Sequence, residues 1–390
     1  MSVFGKDEVA IKKFAASVAV PEFNGCSFTT PKPLHTLKVA LVTTAGLYQD
    51  GGGFEIGDSD FHFETLPKHA RDLKLGHHSV NFDRGGFAAD INVVFPIDRL
   101  QSMAESGVIG AVANNHYAFA GNQSATVSEI RLDSGPRCAQ EMLKEDVDVV
   151  ILTSTCPLCP RTVCTLAHVF ETAGLATLVI TPLRAVAERM GVPRTLHTEF
   201  PLGLSLGKPR DEKFQTDVLM AAFDLLNEPQ GPVIKTFPVS VSATDGAPLV
   251  CGIPPRINTD LHPAVDEAQA LKAAYDRAYK KNQKTSIGMR ISAEEVPDAL
   301  AKFVEIADGK HWEDFGFVAE SIYGTVHDIR TYYEELACEL AEGPITPWST
   351  EQWFYDQTEA GKLILSARKI MRDKEVAQSV WFGLAPAGRP

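Results

Sequence analysis

The sequence predicts an α/β protein, and three observations carry that reading. The short runs "LKVALVTTAG" (37–46), "DVVILTST" (148–155) and "LATLVIT" (175–181) are mostly apolar and rich in β-branched residues. Such runs suit strands of a parallel sheet covered on both faces. Between the last two lies "CPLCPRTVCTLAHVFETAG", where Val163, Leu166, Ala167 and Phe170 recur at helical spacing and Gly174 stands as a stop. After residue 262 the sequence reads as one helix after another. The expected architecture is a Rossmann-like parallel sheet domain followed by a mainly helical C-terminal domain.

Each segment follows in order. Residues 1–36 show no clear periodicity and end in "FTTPKPLHT", whose two prolines read as an extended N-terminal extension. Residues 37–235 form the expected α/β catalytic domain, closed by a helix in "DEKFQTDVLMAAFDLLNE" (211–228). Residues 236–262 lie in a stretch rich in proline and glycine and read as a linker. Residues 263–390 form the helical domain, with "PAVDEAQALKAAYDRAYKK", "SAEEVPDALAKFVEIADG", "HDIRTYYEELACELAEG" and "STEQWFYDQTEAGKLILSARKIMRD" as helices and Ser292/Glu295 as a capping box.

The 390 residues, 44% of them hydrophobic, are enough to bury a sizeable core. A formal net charge of −13 opposes a nucleic-acid backbone or an anionic membrane as the main partner. No apolar run approaches the roughly 20 residues needed to cross a bilayer, and the first residues lack the pattern of a secretory signal, so a cytoplasmic protein is expected. Of the seven cysteines, Cys26, Cys138, Cys251 and Cys338 are scattered singly, which suits reduced thiols. A small-molecule substrate and an oligomer of identical chains are expected.

Cys156 and Cys159 form a Cys-x-x-Cys pair at the end of a predicted strand and the start of a predicted helix from about residue 157. Free amides at a helix N-terminus favour thiolate, and Arg161 adds a cation nearby. On this reading Cys156 is the activated nucleophile. Cys159, one turn on, resolves its adduct as a disulfide, which an outside dithiol protein of thioredoxin type must reduce. No resident cofactor is expected. The chemical rival is zinc or an iron-sulfur centre on Cys156, Cys159, Cys164 and His168, a C-x2-C-x4-C-x3-H spacing. That reading makes the chain a structural or redox-sensing module. A third is a general thiol-disulfide oxidoreductase. The plain alternative is packed core thiols, strongest for Cys164, which sits beside Val163 and Leu166.

Other polar residues are candidates by chemistry. His77 and His78 precede Asp83, Arg84 and Asp90 in a segment with Gly76, Gly85 and Gly86. A histidine there can protonate a leaving group and the acids can hold a cationic substrate, against the alternative of a solvated loop. His116 in "NNHYAFAG" is either a substrate contact or a core residue. "YQDGGGFEIGDSDFHFE" (48–64) lacks the spacing of a phosphate loop and reads as a flexible substrate loop.

Four blocks in order resemble the selenoprotein B subunits of glycine, sarcosine and betaine reductases and the related D-proline reductase subunit. They are "KVALVTTAG", "HHSVNFDRGGFAADINVVFPIDRL", "ESGVIGAVANNHYAFAGN" and "VDVVILTSTCPLCPRTVC". The resemblance covers residues 37–228 and leaves the helical tail outside. It implies that the family's selenocysteine position falls on Cys156 and its partner cysteine on Cys159. It also implies reductive cleavage of a C–N bond, or by extension a C–S bond, of a substrate held by a pyruvoyl group on a partner subunit, with a thioredoxin-type system to reset the pair. Three departures stand out. Cysteine replaces selenocysteine; Thr162 stands where many relatives carry a further cysteine, with Cys164 displaced; and the family's "PHPLG" is here "TEFPLG" (198–203). Glu199 therefore stands where an imidazole is expected, with His197 close by, and is a candidate substrate contact.

Overall fold

The computed structural model describes residues 3–55, 60–124, 126–242, 249–341 and 343–389, with side chains from residue 8 onward. Residues 56–59 of the expected substrate loop and 243–248 of the expected linker lie outside the described residues. The chain divides into two compact units, one of residues 8–242 and one of residues 243–390 with residues 1–7.

The first unit is built on a mostly parallel, eight-stranded mixed sheet. In chain order its strands are β1 (Lys38–Thr43), β3 (Phe63–Pro67), β5 (Ala111–Val112), β6 (Asn115–Phe119), β7 (Val149–Thr153), β8 (Ala176–Thr181), β9 (Arg194–His197) and β10 (Val233–Thr236). A separate antiparallel ribbon pairs β2 (Leu47–Tyr48) with β4 (Lys74–Leu75). The main sheet runs β10-β9-β8-β7-β1-β6-β3, with β5 beside β1. All neighbours are parallel except β3, which runs antiparallel to β6 at the edge.

The three apolar runs of the sequence are β1, β7 and β8 at the centre of this sheet. Alternate residues of each strand feed two separate cores, Val39, Leu41, Val149 and Ile151 on one face and Ala40, Val42, Val150 and Leu152 on the other. This is why the runs are apolar at every position. Helices α3 (Ile97–Glu105) and α7 (Glu212–Phe223) pack on the first face; α4 (Gly135–Lys144), α5 (Cys159–Thr172) and α6 (Arg184–Met190) pack on the second. A short helix, α2 (Gly85–Ala89), precedes α3. Gly174 ends α5 at φ 98°, as the stop signal requires, and Asp211 caps α7 by accepting the amide of Phe214.

The N-terminal stretch, whose sequence shows no clear periodicity, holds a helix, α1 (Val3–Ser17), ahead of the extended proline segment. From Glu8 onward its contacts include Glu8 accepting the amide of Leu202 and Lys12 donating to the carbonyl of Phe200. Tertiary partners, which sequence periodicity does not see, supply its stability.

The second unit is helical: α8 (Pro263–Asn282), α9 (Val296–Ala307), α10 (Ala319–Leu340), α11 (Ser349–Gln357), α12 (Glu359–Asp373) and α13 (Gln378–Trp381). The Ser292/Glu295 capping box is present at the turn that leads into α9. The helix expected over 349–373 breaks in two at Thr358, whose hydroxyl caps α12 by accepting the amide of Gly361. Buried carboxylates close other turns of this unit. Asp328 accepts four successive amides, Gly288 to Ile291, at 2.6–3.1 Å. No helix among the described residues is long and apolar enough to cross a membrane.

Candidate active site

The site lies at the carboxyl ends of β1, β6 and β7, the rim where an open parallel sheet offers its ligand crevice. β7 ends at Thr153, and residues 154–158 turn before α5 begins at Cys159, two residues later than the sequence suggests. Pro160 fits the first turn because no amide hydrogen is needed there. In the turn the two cysteines bond to each other's backbone: the Cys156 amide donates to Cys159 Sγ at 3.0 Å and the Cys159 amide donates to Cys156 Sγ at 3.2 Å. This is the reciprocity of a capping box with sulfur in place of oxygen.

His77 reaches the pair from a distant part of the chain, with Nε2 3.3 Å from Cys159 Sγ. Two close backbone approaches put it there. Gly46 follows β1 at φ 62°, and a Cβ on it would lie 3.2 Å from the His77 nitrogen. Gly121 follows β6, and a Cβ on it would lie 2.1 Å from Cys159 Sγ and 2.9 Å from His77 Nε2. Only glycine leaves that space. Thr162 holds this turn, its hydroxyl donating to the Gly121 carbonyl at 3.1 Å, and so supports the site from behind.

His77, Cys156 and Cys159 are all buried, and their Nε2, Sγ and Sγ atoms lie within 4.8 Å of one another. Among the described residues this is the group of three His, Cys, Asp or Glu side chains whose ligand atoms lie mutually close enough to hold a metal ion. The pair divides one charge. Burial opposes ionisation of Cys159, but the hydrogen bond from the Cys156 side chain and the neighbouring His77 hold this thiol well below its ordinary range. Burial and the adjacent sulfur push Cys156 well above it, although the Leu158 and Cys159 amides work the other way. The sequence reading put the readier thiolate on Cys156; the electrostatics put it on Cys159, because the Cys156 side chain donates to it and His77 touches only that sulfur. Arg161 contributes elsewhere, donating to the carbonyls of Gln123 and Ala19.

The remaining candidates fall in several places. His78 follows His77 but is outside the group of three. Asp83 is buried, its carboxylate accepting the Gly86 amide and its own amide donating to the Leu202 carbonyl, which ties the histidine segment to "PLG". Asp90 caps a turn instead of facing the cysteines: burial opposes its charge, yet Gln215, the Arg210 amide and Asn92 hold the carboxyl below its ordinary range. His116 is a core residue of β6, fully buried, with Nδ1 accepting the Leu41 amide at 2.9 Å and its ring edge-on to Phe95. Burial lowers it to about 3, so it is neutral. Glu199 is exposed, and His197 bonds Thr236.

The four-ligand metal reading is corrected by the fold. Cys164 points into the core on the opposite face of the sheet from Cys156 and Cys159, and burial raises its thiol. His168 stacks on Phe23 at 3.9 Å and bonds the Met190 carbonyl. A groove of 710 Å³ passes His168, Phe23 and Arg131 but includes neither cysteine of the pair. A helix presents one face to one core, and the spacing alone does not say which. Thr44, Gly46 and Gly121 were missed as site residues; the blocks "VTTAG" and "AFAGN" were the available signal, as glycines directly after strands.

The family model for glycine/sarcosine/betaine reductase selenoprotein B matches residues 7–155, ending one residue before Cys156. D-proline reductase subunit gamma of Acetoanaerobium sticklandii is 31% identical over 186 residues, 47% of this chain and 76% of that subunit. Glycine reductase complex component B subunit gamma of Symbiobacterium thermophilum is 26% identical over 227 residues, 55% of this chain and 52% of that subunit. Sarcosine reductase complex component B subunit beta of Peptoclostridium acidaminophilum is 26% identical over 235 residues, 55% of this chain and 51% of that subunit. This chain thus spans about half the length of the glycine and sarcosine relatives. No solved structure matches. On the family-model match over residues 7–155 and the D-proline reductase relative at 31% identity, the chain belongs to the glycine/sarcosine/betaine reductase selenoprotein B and D-proline reductase family.

Proposed function

We propose that this chain is the thiol component of a reductase that cleaves a C–N or C–S bond of a small amino-acid-like or cationic substrate, with Cys156 and Cys159 supplying the two electrons. The observation that carries the reading is the juxtaposition of both sulfurs and His77 within 4.8 Å at the sheet rim. Its relatives are subunits of D-proline, glycine and sarcosine reductases, which supports the reaction class.

The steps balance as follows for an amine. Cys156, at the position matching the family's selenocysteine, attacks the carbon bearing the nitrogen and passes its proton to the Cys159 sulfur. The C–N bond breaks and the amine, already protonated in the bound cationic substrate, departs neutral with the bonding electron pair. Cys159 then attacks Cys156 Sγ, the S–C bond breaks, and its proton goes to the carbon. The substrate has gained two electrons and the pair has become a disulfide, which an external dithiol protein reduces. Both sulfurs are buried, so substrate reaches them only when the segments around them part. A partner subunit that carries the substrate, and an assembly containing more than one copy of this chain, complete the proposal.

Mass spectrometry of the native protein, alkylated before and after reduction and read with its metal content, tests it. A reversible Cys156–Cys159 disulfide in metal-free protein, and loss of amine or thioether turnover in Cys156→Ser with the fold intact, are expected. Stoichiometric zinc or iron with both cysteines protected from alkylation would overturn the assignment. Disulfide exchange with generic dithiols, without cleavage of any small substrate, would make the chain a general oxidoreductase.

A further inference from the structure

The ring of His77 has a second partner, which fixes what the first can be. Its Nδ1 lies 2.9 Å from the backbone nitrogen of Ser79, whose N–H points at it. An amide nitrogen only donates, so Nδ1 must present its lone pair, and the ring proton sits on Nε2. Nε2 is the atom 3.3 Å from Cys159 Sγ.

We propose that His77 is a neutral hydrogen-bond donor, set in its Nε2–H form by the Ser79 amide, which stabilises the Cys159 sulfur and neither ligates a metal nor transfers a proton. This rests on the dithiol reading of the site. The competing roles conflict with the same contact. An imidazolium, or the Nδ1–H form that a metal on Nε2 requires, sets two hydrogens against each other across 2.9 Å.

The surroundings keep the arrangement in place. The Ser79 hydroxyl accepts the Asn81 amide at 3.1 Å, which closes the turn carrying the Ser79 N–H. Phe82 meets the imidazole edge-on at 5.1 Å between ring centres. Around Cys159 Sγ stand the Cys156 amide at 3.0 Å, the Thr44 carbonyl at 3.5 Å and His77. Three donors face the sulfur when it is an anion, the Cys156 amide, the Cys156 thiol and His77, and the Thr44 carbonyl can take the S–H when it is not. His77 therefore serves both states without moving a proton, and Ser79 is a positioning residue acting through it.

The test uses full-length reduced protein labelled with 15N-histidine. At pH 7 the His77 signals, assigned by their loss in His77→Gln, are expected to report a neutral ring protonated on Nε2. A ring protonated on Nδ1, or on both nitrogens, overturns the proposal. A second readout separates donor from base. In His77→Gln an amide NH2 takes the place of Nε2–H and cannot carry charge. Cys159 in this variant should alkylate at pH 7 within about threefold of the natural rate, the scale of one hydrogen bond. His77→Ala should be about tenfold slower, the effect of one pKa unit. A glutamine variant as slow as the alanine one also overturns it. Should one variant fail to fold, the other assigns the His77 signals by their loss, and the isotope spectrum of the unaltered protein then decides. Failure of the dithiol reading would look different: an Nε2–H ring in a protein that forms no disulfide and turns over no substrate.

Discussion

Gly121 lies so close to Cys159 that a single methyl group on it would sit 2.1 Å from the Cys159 sulfur. The turn after one strand thereby sets the position of a thiol at the start of a helix from another part of the sheet. The sulfur is held between that turn, His77 and the Cys156 amide, and its placement depends on all three.

Gly121→Ala should displace Cys159 or His77 by the order of an ångström. Misplacement of that size costs about 100-fold in rate. The variant should keep the far-ultraviolet spectrum of the parent and lose turnover on that scale. Unchanged turnover would show that the close approach is not needed.

The two thiols should alkylate in a fixed order. Cys159 is lowered, chiefly through Cys156 and His77 acting against burial, and Cys156 is raised by burial and its neighbour. At pH 7 a small alkylating reagent should therefore modify Cys159 first, as peptide mapping over time will show. Modification of Cys156 first would place the anion on the other sulfur.

His116 gives the first unit a signature in acid. Its folded value of about 3 lies below the ordinary 6.5, so the unfolded chain binds a proton that the folded chain refuses. Its contribution is complete above pH 6.5 and is lost as pH falls toward about 3. The loss is about 1.4 kcal/mol for each pH unit in that window. His116→Asn, whose Oδ1 can still accept the Leu41 amide, should show a shallower acid slope in urea melts. Equal slopes would mean that His116 titrates normally.

Asp328 gives a second test in the helical unit. Burial works against its charge, but His327 and the Arg290 and Ile291 amides hold the carboxyl below its ordinary 3.8. That stabilisation is present above pH 3.8 and disappears as pH falls through the lower folded value. Asp328→Asn brings an NH2 group against backbone donors and should destabilise the unit by about 2–4 kcal/mol near neutral pH. The deficit should shrink in strong acid. A deficit constant with pH would assign the loss to packing.

Much of the sheet was legible because β1, β7 and β8 are covered on both faces and so are apolar at every position. The edge strands β3 and β10 are partly exposed and give weaker patterns. The helix α1 and the break at Thr358 depend on partners far along the chain. In the site, the Cys-Pro-x-Cys-Pro order marked a strand-to-helix turn, and the placement of that turn at the rim followed from fold class. The contact of His77 with Cys159 spans 82 residues and depends on Gly46 and Gly121, which read locally as ordinary turns. Nothing in a one-dimensional pattern separates His77 from His78; one backbone N–H, that of Ser79, does. Cys164 and His168 illustrate the converse, since their spacing suits a metal but their helix turns them toward a different core.

The sulfur capping box also bears on how such a chain would be recognised after turnover. The loop from Cys156 to Cys159 is already closed on itself by two N–H···S bonds while both thiols are free. Removing two electrons would replace those contacts with one covalent bond across a ring of nearly the same outline. A redox partner arriving at this rim would then have little change of shape to read, and the clearest difference between spent and ready protein would be the disappearance of one negative charge from the sulfur pair.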